Sequence, residues 1–301
     1  MEPKGAPAQG PVKQGDGAKV ERQTIATKPF RTHLNRAGAG NPEAIVFLHG
    51  SGPGASGWSN WRLALPVLGT VYDCLAPDSS GYAASEHPPV PPTGTTAWMD
   101  LWVEQVVSLL DTLGLGSVHL VGNSMGGAIA LQLAHRHPGR IKRIVLMGPS
   151  GAPFRLNPKL DAIWGFYARP SVELMTEMIN WFAYDPKAFS QDLSEIARMR
   201  FEAAMDPQVR RTYQAMFPAP RQRYIDDYVL PDQALAQVTH PCLIIHGRDD
   251  PIVPLETSLY LLQKLPRVQL HVFGQCSHWT QIEYPEDFHN LLLGFFRENV
   301  R

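Results

Sequence analysis

Cysteine is scarce here: three residues in a chain of 301. Three thiols cannot build a disulfide framework, so a buried core must hold the fold. Cys74 and Cys242 lie in apolar runs and read as small packing groups, a usage that fits a reducing cytoplasm. An excess of one charge is missing too. Lys and Arg number 27 against 28 Asp and Glu, with no block of like sign. That balance argues against a nucleic-acid partner and against a membrane surface. No apolar run approaches ~18 residues, so no transmembrane helix is expected. The first ~20 residues carry no apolar segment, so no secretory signal is expected. Residues 1–19 are rich in Gly, Pro, Lys and Gln and are expected to form a disordered extension. No His, Cys, Asp or Glu set has ligand spacing on one face, so no metal is expected. His135 and His137, two residues apart at a helix end, point to different faces.

What the chain does have is apolar residues at 44%, enough for a large core. Short apolar strands are expected at Ala44–Leu48, Tyr72–Ala76, Val118–Val121, Ile144–Met147, Cys242–His246 and Gln269–Phe273, with earlier strands within residues 20–36. Helical spacing appears between them. In Met99–Leu113, Val103, Val106, Leu110 and Leu113 would face a sheet. Such alternation implies a parallel sheet covered on both faces. The pattern breaks between Ser150 and about Ala236, where only helical stretches rich in Met and aromatics occur. Residues 20–149 and 237–301 are therefore expected to form an α/β core, and 150–236 an inserted helical cap. Most cap aromatics are expected to pack the cap and a few to line a cleft, where an aromatic-rich cap with Trp164 and Trp181 could leave room for a ring.

One pentapeptide points to chemistry. Gly122-Asn123-Ser124-Met125-Gly126 follows an apolar run and precedes a helix-forming run. Strand, G-x-S-x-G, helix is the signature of a nucleophile elbow, a turn so tight that only glycine fits two residues either side of the serine. Ser124 would stand at the end of a central strand, beside a helix N-terminus that stabilises developing negative charge.

A serine nucleophile needs a base, and the base an orienting acid. In the α/β-hydrolase chain order these follow as Ser, then Asp or Glu, then His. Eleven histidines compete. His119 and His271 lie within strands. His33, His87, His240 and His289 read as surface residues, and His49 as part of a glycine-rich loop. His246 precedes the candidate acids and breaks the order. His278 remains, on the loop after the last strand. For the acid, Asp249 and Asp250 both follow the strand Cys242–His246. No acid occurs in Met147-Gly148-Pro149-Ser150-Gly151-Ala152, the alternative place after the next strand. Cys276, two residues before His278, reads as packing. The loop His49-Gly50-Ser51-Gly52-Pro53-Gly54 follows an apolar strand, and its glycines let backbone N–H groups approach a ligand. An oxyanion hole from the N–H groups of Ser51 and Met125 is expected.

Four stretches together resemble the meta-cleavage product hydrolases, the carbon–carbon bond hydrolases of aromatic degradation. They are His49 through Arg62, Gly122 through Ala128, Gly247-Arg248-Asp249-Asp250 and Cys276-Ser277-His278-Trp279. The form Ser51-Gly52-Pro53-Gly54 and the run Met216 through Arg223 look most similar to the 2-hydroxymuconate-semialdehyde hydrolase branch. The resemblance implies an α/β-hydrolase fold and a cofactor-free Ser-His-Asp triad. It favours Asp250 over Asp249, through its spacing to Pro254. The implied substrate is a small-molecule dienoate with a C1 carboxylate and a C2 enol oxygen, cleaved between C5 and C6 after protonation at C5. By similarity, Arg200 is the cation at the dienoate end. Asn60, Asn123 and Trp279 orient that end, and Gly52 supplies backbone. Ser150 and Val253 follow strands at the catalytic edge and should border the acyl side, which is narrow in this branch. Two departures stand out: Ser277 where glycine is usual, and Ser79-Ser80-Gly81-Tyr82 in place of a Gly-Phe-Gly loop. A carboxylesterase needs the triad but not Arg200 or Asn60, and a triad-bearing small-molecule receptor is the third reading. Assembly into a homo-oligomer stays open.

Overall fold

A computed structural model describes residues 17–186 and 193–297. The expected extension at 1–19 therefore lies mostly outside the described residues. Ala18, within them, donates its N–H to Pro66 O at 2.8 Å.

Eight strands form one sheet: β1 (Val20–Ile25), β2 (Thr32–Ala37), β3 (Ala44–Leu48), β4 (Asp73–Pro77), β5 (Val118–Asn123), β6 (Ile141–Met147), β7 (Cys242–Gly247) and β8 (Val268–Phe273). Their spatial order is β1-β2-β4-β3-β5-β6-β7-β8. β2 runs antiparallel to both β1 and β4, and the other pairings are parallel. This is the α/β-hydrolase architecture, mostly parallel and covered by helices. β3, β5 and β7, and β6 from Ile144 on, are largely apolar because both faces are buried. Side chains alternate between two core layers: Val46 and Leu48 pack on one face of β3, Ile45 and Phe47 on the other.

The polar strands explain the shifted boundaries. β6 begins at Ile141, three residues before the apolar run, because Lys142 and Arg143 are spoken for at the surface. Lys142 pairs with Glu43 at 2.7 Å, and the Arg143 guanidinium lies 5.6 Å over Phe295. The helix Thr95–Thr112 starts four residues before the expected Met99, after Gly94 at φ +81°. Val103, Val106 and Leu110 are buried in it.

Between β6 and β7, the described residues contain helices and no strands. The chief ones are Pro158–Trp164, Val172–Phe182, Leu193–Ala204 and Pro207–Met216. Three start at side-chain caps: Asn157, Ser171 and Asp206 each accept backbone N–H groups of the first turn. No helix among the described residues is long and apolar enough to cross a membrane.

Candidate active site

Parallel strands place their following loops on one edge of the sheet. Ser51 follows β3, Ser124 follows β5, Asp250 follows β7 and His278 follows β8. Ser124 sits at φ 53°, ψ −117°, a left-handed conformation that L side chains rarely adopt. A Cβ on Gly122 would lie 2.3 Å from Gly126 O, and one on Gly126 would lie 2.2 Å from Leu48 O. The turn is pinned from both sides. Ser124 N–H donates to Met147 O at 3.0 Å, and Ser150 N–H donates to Ser124 O at 3.0 Å.

His278 Nδ1 donates to Asp250 Oδ2 at 2.6 Å. Asp250 Oδ1 accepts from the N–H groups of Ile252 (2.8 Å) and Val253 (3.1 Å). His246 also reaches this carboxylate, its Nε2 3.4 Å from Oδ2. His246 Nε2 donates to Val253 O at 3.0 Å, so Nδ1 accepts from the Ser258 hydroxyl at 2.6 Å. Burial works to raise the Asp250 carboxyl, but the charge of His278 and the hydrogen bonds of both histidines outweigh it and hold the group well below the usual range. Asp249 instead faces Arg248 and the Gln275 N–H.

One cavity, about 450 Å³ including its mouth, is shared by Gly50, Ser51, Gly52, Asn60, Asn123, Ser124, Arg200, His278 and Trp279. Ser51 Oγ accepts from Trp164 Nε1 at 3.0 Å, which fixes the loop carrying its N–H. His49, fully buried, ties the same loop to Ser79, whose N–H donates to Nε2 at 2.9 Å. Met125 opens the helix Met125–Arg136, and its sulfur accepts from the Tyr82 hydroxyl at 3.7 Å. Tyr82, from the unusual loop, thus packs beneath the elbow.

Asn60 sits on the short helix Gly57–Trp61, started by a capping box between Ser56 and Ser59. Its Oδ1 accepts from Gly50 N–H at 3.0 Å, while its buried Nδ2 has no partner among the described residues. Asn123 Nδ2 donates to Met147 O at 3.2 Å. Arg200, half-buried, donates from Nε to Pro53 O at 3.0 Å. Its guanidinium lies 5.8 Å from the Phe182 ring and 5.5 Å from the Trp279 ring. No carboxylate pairs with it among the described residues. Burial pushes it down to about 10, so it stays cationic at neutral pH.

Ser150 and Val253 are buried beside the cavity but do not line it; Ile252 does. Leu160 and Ile163 complete that wall from the helix Pro158–Trp164, and Phe182 adds to the cavity from the end of the next cap helix. No motif in the sequence marks these four as cavity residues. Leu160 and Ile163 had a signal, their i, i+3 spacing after the Asn157-Pro158 helix start. Trp164 is not on that wall; its indole reaches Ser51 and stacks on Phe217 at 4.8 Å.

A model of the α/β hydrolase fold matches residues 43–285. A 2-hydroxymuconate semialdehyde hydrolase of Pseudomonas sp. strain CF600 is 43% identical over 93% of this chain and 95% of its own length. A 2-hydroxy-6-oxo-2,4-heptadienoate hydrolase of Pseudomonas putida is 42% identical over 92% and 96%. Among solved structures, a meta-cleavage product hydrolase from Pseudomonas fluorescens IP01 superposes with a TM-score of 0.86 at 38% identity, covering 92% of this chain and 98% of that one. The chain therefore belongs to the α/β-hydrolase family, within its meta-cleavage product hydrolases.

Proposed function

We propose that the protein hydrolyses the C5–C6 bond of a 2-hydroxy-6-oxohexa-2,4-dienoate, either 2-hydroxymuconate semialdehyde or a 6-alkyl analogue, in aromatic catabolism. The carrying observation is a guanidinium, without a carboxylate partner among the described residues, on the same cavity as Ser124 and His278. An ester hydrolase has no use for that cation; a dienoate does. Residues 20–149 and 237–301 serve as the core, and 150–236 as the cap that excludes water. Three free, buried cysteines fit a reducing compartment, and we place the enzyme in the cytoplasm.

In this reading Arg200 holds the C1 carboxylate and C2 oxygen, with Asn60, Asn123, Trp279 and Gly52 around them. The C2 hydroxyl loses its proton as C5 gains one, a tautomerisation that gives the keto form. Ser124 Oγ then attacks C6 while His278 takes its proton, oriented by Asp250. The N–H groups of Ser51 and Met125 hold the oxyanion. When C5–C6 breaks, its electron pair passes into the conjugated system and onto the C2 oxygen, beside Arg200; the proton held by His278 goes to this leaving group, which departs as the 2-hydroxydienoate and leaves His278 neutral. Water, activated by His278, releases the carboxylic acid from Ser124.

Ile252, Leu160 and Ile163 give the cavity a branched aliphatic wall, and the hydrogen or short alkyl at C6 suits it. Ser150 and Val253 act behind that wall. The test is stopped-flow loss of the dienoate's yellow colour with hydrogen, methyl and phenyl at C6. Hydrogen or methyl should give the highest kcat/KM, with differences of about 10–200-fold at most per group. Ser124→Ala should bind the chromophore without bleaching it. A phenyl preference would reject the small-substrate reading, and bleaching by Ser124→Ala would reject the nucleophile.

A further inference from the structure

The helix Val172–Phe182 ends at Ala183 in extended backbone, without a capping glycine of its own. Helix ends leave carbonyls to be satisfied from elsewhere. Here the loop carrying His278 supplies the donors. Ser277 Oγ donates to Trp181 O at 3.0 Å, and Trp279 N–H donates to Phe182 O at 3.1 Å. Glu283 grips both sides at once. Its Oε2 accepts from Tyr184 N–H at 2.7 Å, and its Oε1 accepts from Ser277 N–H at 2.8 Å.

We propose that Ser277 and Glu283 are positioning residues that latch the end of this cap helix to the histidine loop, and so hold the aromatic pair on which Arg200 rests. That pair is Phe182 and Trp279, stacked at 4.7 Å, one ring from each side of the latch. Arg200 lies over both rings. Without the latch the two rings belong to separate segments, and a shift between them moves the cation relative to Ser124. The carboxylate makes the stronger half, because bonds from N–H groups to an ionised acceptor exceed neutral ones. Removing it leaves two N–H groups facing no acceptor, one of them on buried Ser277. The hydroxyl makes the other half, and it exists only because this chain has serine at 277. The proposal rests on Arg200 holding the dienoate.

The experiment compares Ser277→Ala, Ser277→Gly, Ser277→Thr and Glu283→Gln. Each is assayed on the preferred dienoate and on a nitrophenyl ester, with hydrogen exchange measured at the Tyr184 and Trp279 amides. Ser277→Ala, Ser277→Gly and Glu283→Gln should raise the dienoate KM by about 3–10-fold and cut its kcat/KM at least threefold more than that of the ester. Both amides should exchange faster. Ser277→Thr, which keeps the donor, should retain wild-type values. Equal losses on the two substrates with unchanged exchange would overturn the latch, since the residues would then serve His278 or general stability. Wild-type protein that cleaves the ester but no dienoate would defeat the substrate reading instead, and amide exchange alone would then decide the latch.

Discussion

Arg200 reaches the cavity from a cap helix, seated on two aromatic rings and one carbonyl, Pro53 O. A cation held this way is ready for an anionic ligand, because among the described residues it gives up no ion pair to bind one. Arg200→Gln keeps a polar side chain but removes the charge. Carbon–carbon cleavage should fall by about 100-fold or more, while ester hydrolysis falls less than about tenfold. Parallel kinetics on the two substrates measure the ratio, and equal losses would make Arg200 a cap-packing residue. Nothing in local sequence sets Arg200 apart from its neighbours Arg198, Arg210 and Arg211; only the family resemblance pointed to it. Ser124 and His278 were legible because an elbow and a chain order each constrain local sequence tightly. His246 shows the opposite case. Chain order removed it as the base, and no sequence signal shows that it would sit 3.4 Å from Asp250, because that contact depends on how the loop after β7 folds back.

At the scale of elements, the elbow joins β5 to its helix through two glycines that meet backbone rather than side chains. Gly126→Ala would set a methyl 2.2 Å from Leu48 O, and neither that carbonyl nor β3 can retreat. Overpacking of this kind costs about 1–3 kcal/mol, at the upper end where backbone must move. Urea unfolding should show that loss, with turnover reduced as Ser124 shifts. A variant as stable and active as wild type would mean that the turn is looser than its geometry. The same physics explains which elements could be read. β3, β5 and β7 are buried on both faces, so each appears as an apolar run. β1, half exposed at the sheet's edge, has four polar residues between Val20 and Ile25, and β2 carries His33, Asn35 and Arg36. Only a range could be given for those two. Cap helices were legible as helices, but which face would line the cavity depended on tertiary packing.

For the whole molecule, buried titratable groups tie stability to pH. His87 and His289, expected at the surface, are buried in the fold. Burial pushes His289 and His119 down to about 4. It also lowers His49 and His87. An unfolded histidine titrates near 6.5, so between about pH 6.5 and 4 the unfolded chain binds protons that the folded chain refuses. Stability therefore falls as pH falls through that window, by at most about 1.4 kcal/mol per pH unit for each such histidine. Asp250 has the same sign in a lower window. Its carboxyl is depressed, so its contribution is present above about pH 4 and is lost on further acidification. Glu283 runs the other way, since burial raises it and protonation near its ordinary range favours the folded form. His289 is the cleanest probe. Its shift comes from burial alone, whereas Glu43 and Lys142 both act on His119. His289→Leu keeps an apolar group in that place and removes one titration. Urea midpoints measured from pH 7 to 4.5 should fall less steeply for the variant, by up to about one proton in the slope. Parallel slopes would show that His289 protonates inside the folded protein, and the acid sensitivity of this fold would then have to come from His119, His49 and His87.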